Sequence, residues 1–142
     1  MNVVVGIDGS PGSEAALQFA LEEARLRGLP LRLVCVWEPP SARYVGEAFA
    51  PTADAFVEAE RHAEDVLRAA LEEIPPDSGV ATEAVSVEGH PPTVLVEQAG
   101  EAALLVLGSR GRGAAKSLLL GSVSQAVAHH AHCPVTIVPP RA

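Results

Sequence analysis

Leu104-Leu105-Val106-Leu107-Gly108-Ser109-Arg110-Gly111-Arg112-Gly113-Ala114-Ala115-Lys116-Ser117-Leu118-Leu119-Leu120-Gly121-Ser122 is the most informative stretch of this chain. Four consecutive large apolar residues make the kind of run that a strand buried on both faces requires. Glycines directly after such a strand let the backbone approach a ligand closely, with its amides turned outward. A helix that follows presents unpaired N–H groups and the positive end of its dipole, and both favour an anion. Gly121, Ser122 and Ser124 add small residues and hydroxyls in that helix region. The combination suits a ligand that carries phosphate.

Two familiar phosphate-binding motifs do not fit. A Walker A loop carries Lys-Ser or Lys-Thr straight after its second glycine, and Lys116-Ser117 stands two residues too late for Gly113. A dinucleotide fingerprint reads G-x-G-x-x-G after a first strand, whereas this loop reads G-x-x-G-x-G and follows the fourth.

Upstream, Val3-Val4-Val5-Gly6-Ile7 is another short buried-strand run. Asp8-Gly9-Ser10-Pro11 ends it and opens a helix, with Ser10 as N-cap and Pro11 at the first helical position. Leu17, Ala20, Leu21 and Ala24 then recur at helical spacing until Gly28, and Leu31 to Trp37 reads as a second strand. Residues 38–51 break this rhythm with prolines and Gly46. Tyr44, Val45 and Phe49 within them fit a lid, an irregular excursion or part of a subunit contact equally well. A helix is expected from Thr52 to Ile74, with Phe56, Ala59, Ala63, Val66 or Leu67, Ala70 and Ile74 along one stripe. Val80 to Val87 alternates mildly, as a strand near a sheet edge does. A helix over Thr93 to Gly100 leads into the Leu104 strand. The glycine loop, Gly108 to Ser117, then leads to a helix with Leu119, Val123, Ala126, Val127 and His130 on one side, and the last strand starts at Cys133 and ends at Val138.

Strands and helices alternate throughout, so the expected fold is α/β: one domain over residues 1–142, an open parallel sheet of five strands, and helices on both faces. Ligands of such sheets bind outside the carboxyl ends of the strands, where the winding direction reverses.

Composition narrows the function classes. The chain has 142 residues, 48% apolar and 20% charged, which suits one packed core and argues against disorder. The longest apolar stretch, Ala102 to Gly108, falls far short of the ~20 residues of a membrane span. No basic segment precedes Val3 and no cleavage pattern follows it, so no signal peptide is expected. Cys35 and Cys133 are too few for a disulfide framework, and a cytosolic (cytoplasmic) location is the expectation. Net charge is −8 but uneven: all 18 acidic residues lie in positions 1–101, and the remainder is purely basic through Arg110, Arg112, Lys116 and Arg141. The total argues against a nucleic-acid binder, while the basic last third would welcome a small anion.

The residues around the glycines resemble the universal stress protein family, in particular its ATP-binding branch. That branch carries G-x2-G-x9-G-(S/T), and Gly108, Gly111, Gly121 and Ser122 match it without a gap. Val5-Gly6-Ile7-Asp8-Gly9-Ser10, Glu88-Gly89-His90-Pro91 and the closing Pro134-Val135-Thr136-Ile137-Val138 agree as well. The resemblance spans Val3 to Pro139. It implies a Rossmann-like sheet of the adenine nucleotide alpha hydrolase kind, in the order 3-2-1-4-5, with strands 1 and 4 adjacent. It also implies roles for individual positions. Asp8 would contact the nucleoside and Val36 would line an adenine pocket; Gly108 and Gly111 would pass close to ribose and phosphates, and Gly121, Ser122, Val123 and Ser124 would hold the phosphates. The ligand implied is ATP (or ADP or AMP), with Mg2+ or Mn2+ held through the phosphates because the loop has no carboxylate cluster. The partner implied is a second copy, joined along the apolar edge strand Val135 to Val138. Two positions depart from the family pattern: Gly6 stands where some members have a bulkier residue near the base, and Ala103 stands where an acid is common.

Plainer readings stand beside these. Asp8 also suits a turn cap, and Ser122 and Ser124 suit a helix terminus. Arg110, Arg112 and Lys116 lie outside the motif and divide between solvated and ligand-facing roles on charge alone. His129, His130 and His132 lack an acidic neighbour and read as helix-terminal cations, so no metal site is expected. Both cysteines read as core thiols. No carboxylate or cysteine sits in the loop to act as base or nucleophile, so no catalytic residue and no efficient catalysis are expected. The alternatives are a slow ATPase or phosphotransfer enzyme on the same fold and a dimeric interaction module that binds no nucleotide. With only five aromatic residues, a flavin carrier is disfavoured.

Overall fold

The computed structural model describes residues 1–40, 52–110 and 120–140. Nine elements alternate along it: β1 (Val3–Gly6), α1 (Pro11–Arg27), β2 (Leu31–Trp37), α2 (Ala53–Glu72), β3 (Thr82–Glu88), α3 (Pro91–Ala99), β4 (Leu104–Gly108), α4 (Ser122–His130) and β5 (Val135–Val138). The strands form one parallel sheet in the order β3-β2-β1-β4-β5.

The valine run at the start occupies the centre of this sheet. Val3, Val4 and Val5 are all fully buried because helices cover both faces. Alternation along the strands then divides the interior in two. Val3, Val5, Leu31, Leu33, Leu104 and Val106 point to the side of α1 and α2, where Leu17, Ala20, Ala63 and Leu67 meet them. Val4, Val34, Leu105 and Leu107 point the other way, toward Leu95 of α3 and Val127 of α4.

Most local signals act as expected. Ser10 caps α1 by accepting the Ser13 amide at 3.2 Å, Pro11 begins the helix, and Gly28 ends it in the left-handed conformation at φ 65°. Thr52 caps α2 in the same way through the Ala55 amide. Three boundaries differ. The edge strand runs Thr82–Glu88, two residues later than at the outset of the alternating pattern. The third helix starts at Pro91 because two prolines at its first positions pre-set φ for the helix and sacrifice no internal bond. The fourth starts only at Ser122: Gly121 is extended (φ −75°, ψ 169°) and spends its amide on the Ser109 carbonyl, 2.6 Å away. On α4, Val127 is buried, but His130 is exposed and not part of the inward stripe. Leu119 lies outside the described residues, as do Tyr44, Val45 and Phe49.

Candidate functional site at the switch point

β1 and β4 are hydrogen-bonded neighbours, yet the helices that follow them pack on opposite faces, α1 with one core and α4 with the other. The chain thus leaves the two strands in opposite directions and opens a crevice at their carboxyl ends. A cleft of about 140 Å³ lies there. Its walls include Gly6, Val34, Val36, Leu95 and Leu107, which are apolar, and Asp8, Ser10, Ser13, Arg110 and Ser124, which are polar.

Of the residues singled out in the sequence, Asp8, Val36, Gly108, Val123 and Ser124 line this cleft. They come from the turn after β1 and from β2, β4 and α4, and meet only because of the strand order. Gly121 and Ser122 stand beside it without lining it: Gly121 is the buried N-cap of α4, and Ser122 is exposed at the first helical position. Gly111, Arg112 and Lys116 lie outside the described residues.

Local bonding fixes several of these groups. The Ser10 amide donates to Asp8 Oδ1 at 2.9 Å, so the turn-capping reading of Asp8 holds alongside its place in the cleft. The Ser13 hydroxyl donates to the Ser10 carbonyl at 3.0 Å. The Ser124 hydroxyl is buried and lies 2.9 Å from the Ser109 carbonyl and 3.1 Å from that of Gly121, which ties the first turn of α4 to the end of β4. No side chain caps α4, so the amides of its first turn keep their positive field at the cleft's edge.

Two glycines gain a more specific explanation. A Cβ on Gly6 would lie 2.7 Å from Leu107 Cδ2 and 3.3 Å from Leu95 Cδ2, so the missing side chain makes room for the leucines beneath the cleft. A Cβ on Gly108 would meet the backbone of Gly12 at 2.8 Å, and one on Gly12 would come within 2.5 Å of the Arg110 carbonyl oxygen. Gly108 therefore serves the contact between α1 and β4 as well as the cleft. Gly12 escaped the sequence reading, although a glycine in the first turn of a helix, where it costs stability against alanine, was the available signal. Leu95 and Leu107 escaped as cleft residues because core periodicity explains them without a ligand, and Ser13 because a serine in the first turn of a helix reads as a local cap partner.

Outside the cleft, His129 and His130 pack edge to face at 5.0 Å, and His90 Nδ1 lies 3.5 Å from Glu38 Oε1 on the surface. Burial pushes the Cys133 thiol above the ordinary cysteine range. Among the described residues, no group of three or more His, Cys, Asp or Glu could hold a metal, and no helix is long and apolar enough to cross a membrane.

Fold and site together define a doubly wound α/β domain with a partly polar cleft at its switch point. The sequence model of the Universal stress protein family matches residues 1–139. The chain belongs to the universal stress protein family. It is 35% identical to Universal stress protein Rv2623 of Mycobacterium tuberculosis over 97% of its own length and 47% of that protein's. With Universal stress protein Mb2019 of Mycobacterium bovis the identity is 32%, over 98% of this chain and 48% of the relative. The chain thus spans about half the length of the curated relatives it matches. Among solved structures, a universal stress protein from Archaeoglobus fulgidus superposes with a TM-score of 0.73 at 31% identity, covering 97% of this chain and 98% of the other. A universal stress protein solved in complex with cAMP superposes with a TM-score of 0.72 at 29% identity, covering 99% and 98%. The Archaeoglobus fulgidus protein in complex with dAMP gives 0.71 at 29% identity, covering 97% of each chain.

Proposed function

We propose that this chain is a nucleotide-dependent regulator of a stress response that binds ATP, or ADP or AMP, in the switch-point cleft. The observation that carries this reading is the convergence of Asp8, Val36, Gly108, Val123 and Ser124 on one cleft at the carboxyl ends of β1, β2 and β4. Related structures solved with cAMP and with dAMP support an adenine nucleotide as the ligand class. The base would sit against Val34, Val36 and Leu107, the ribose near Asp8, and the phosphates toward Gly108, Gly111 and the start of α4, with Gly121, Ser122 and Ser124. Mg2+ or Mn2+ would be held through phosphate oxygens and water, since Asp8 is the only carboxylate among the described residues lining the cleft.

Regulation by binding is favoured over turnover by the same residue. Asp8, the one carboxylate among the described residues lining the cleft, also caps the turn by accepting the Ser10 amide on Oδ1, a structural and binding task rather than that of a dedicated base. The assembly proposed is a cytoplasmic homodimer joined along the β5 edge, Val135–Val138, whose four residues are each half-buried in the single chain.

The direct test is isothermal titration of nucleotide-stripped protein with ATP and Mg2+, beside a Gly111→Val, Ser122→Ala variant. Saturable binding by the parent chain that the variant loses is the expected outcome. Absence of binding by a well-folded dimer would leave an interaction module without a nucleotide.

A further inference from the structure

The geometry points to a second ligand site, apart from the switch-point cleft: an apolar trough between α1 and α2 that takes a linear aliphatic polyamine. Its volume is about 310 Å³, against 140 Å³ for the cleft, and only Ile7 and Ser13 line both.

The trough follows from the sequence of α2. His62, Asp65, Val66, Ala69, Ala70 and Glu73 recur at helical spacing along α2 and its C-cap, and together with Leu17 of α1 they line it. Larger side chains would fill the space beside buried Leu17, but this stripe supplies Ala69 and Ala70, so an apolar channel stays open. Carboxylates stand at both of its ends. Asp65 and Glu73 are eight residues apart, about 12 Å along a helix axis. Glu73 has Glu14 of α1 for company, since both also line an adjoining hollow with Gln18 and Pro140. Neither Glu14 nor Glu73 holds an ion pair among the described residues. Glu73 is moreover the C-cap of α2, whose last turn carries no basic residue, so two carboxylates and the negative end of the helix dipole add up at one place. Asp65 is paired with Arg68 at 2.8 Å, but that pair is exposed and yields readily to a competing cation, and Arg68 does not line the trough. A run of methylenes with a protonated amine at each end complements this pattern: one ammonium between Glu14 and Glu73, methylenes over the alanines, and the other ammonium toward Asp65. A bare metal ion would leave the apolar channel empty, and among the described residues no group of three or more His, Cys, Asp or Glu could hold one.

Titration of the full, nucleotide-free chain with spermidine, followed by nuclear magnetic resonance shifts of the backbone amides, tests this. Saturable binding is expected, with the shifts centred on Leu17 and on residues 65–73. Ala69→Leu changes no charge but fills the channel, and should weaken binding roughly tenfold, as an overpacked site does. Glu73→Gln should weaken it about threefold, the scale of one exposed ion pair, while Glu101→Gln, an exposed acid outside the trough, should leave it unchanged. Butylamine, with one ammonium and no second end, should bind at least several-fold more weakly than spermidine. Thermal melting checks the fold of each variant; if Ala69→Leu does not fold, the contrast between Glu73→Gln and Glu101→Gln decides. Equal losses for those two, an unaltered affinity in folded Ala69→Leu, or no saturation by the parent overturns the inference. Tighter binding of tetralysine than of spermidine would assign the trough to a basic peptide instead, and a sedimentation coefficient changed by Ala69→Leu without ligand would assign it to a second copy; either result also overturns it.

Discussion

A Cβ built on Gly108 would stand 2.8 Å from the carbonyl carbon and oxygen of Gly12, neither of which can swing aside as a side chain could. Gly108→Ala should therefore destabilise the fold by about 1–3 kcal/mol, the range of an overpacked core, and Gly12→Ala should cost at least as much. Gly28→Ala offers the comparison: its φ of 65° carries a strain of about 1 kcal/mol, but no atom lies within 4 Å of the new methyl. Urea unfolding of the three variants should rank Gly28→Ala as the mildest, and the reverse order would mean that α1 shifts freely on β4. Cys133 supports a second prediction at this scale. Burial raises its thiol pKa, so the protonated form is favoured in the folded chain. Its contribution to stability is complete below the unfolded cysteine pKa and is lost as pH rises through the folded value. Native alkylation should label half-buried Cys133 before buried Cys35, and its rate should rise only at a pH above that of a free thiol. What the sequence disclosed here followed from chemistry that is local. Ser10, Pro11 and Gly28 act on their own helix, whereas Gly12 acts on a strand nearly one hundred residues away and left no local mark.

At the scale of elements, β1 and β4 are the strands on which the cleft depends, and they were also the easiest to read. Unbroken runs of Val and Leu are what double burial demands, and Val3 to Val5 and Leu105 to Val106 are buried throughout. Replacing Leu105 by alanine, in the middle of β4 and fully buried, should cost about 2–5 kcal/mol in denaturant unfolding. Exposed Leu26, at 65% accessibility near the end of α1, should tolerate the same change within about 0.5 kcal/mol. Comparable costs at the two sites would contradict the packing described above. Helix starts were less legible. The hydrophobic period extends through Leu119 and Val123 as though one helix began before Gly121, but the Gly121 amide turns to Ser109 and resets the start to Ser122. Side-chain period carries no information about which carbonyl an amide chooses.

Among the described residues, β5 is the apolar edge strand of the sheet, only four residues long and bounded by Pro134 on one side and Pro139-Pro140 on the other. Prolines limit how far such an edge can pair, and so favour one defined contact over indefinite growth. If β5 is the subunit seam, Ile137→Lys should convert the dimer to monomer in sedimentation velocity while leaving the far-ultraviolet circular dichroism unchanged. A variant that sediments like the parent would move the seam elsewhere. Strand order was legible only through resemblance to the family, because alternation of strands and helices prescribes parallel pairing without saying which strand lies at the centre. The cleft inherits that dependence: Val36 and Val123 share it only when β2 and β4 flank β1.

The sheet also separates two interiors that, among the described residues, share no side chain. The leucines and valine that floor the cleft, Val34, Leu95 and Leu107, all belong to the interior beneath α3 and α4. A double substitution such as Leu67→Ala with Val127→Ala places one change in each compartment and should come close to the sum of the single effects. Packing under α2 is therefore largely decoupled from the pocket floor, to which that interior contributes Ile7. Changes under α3 and α4 have less freedom, because the core packing and the cleft are there formed by the same few side chains.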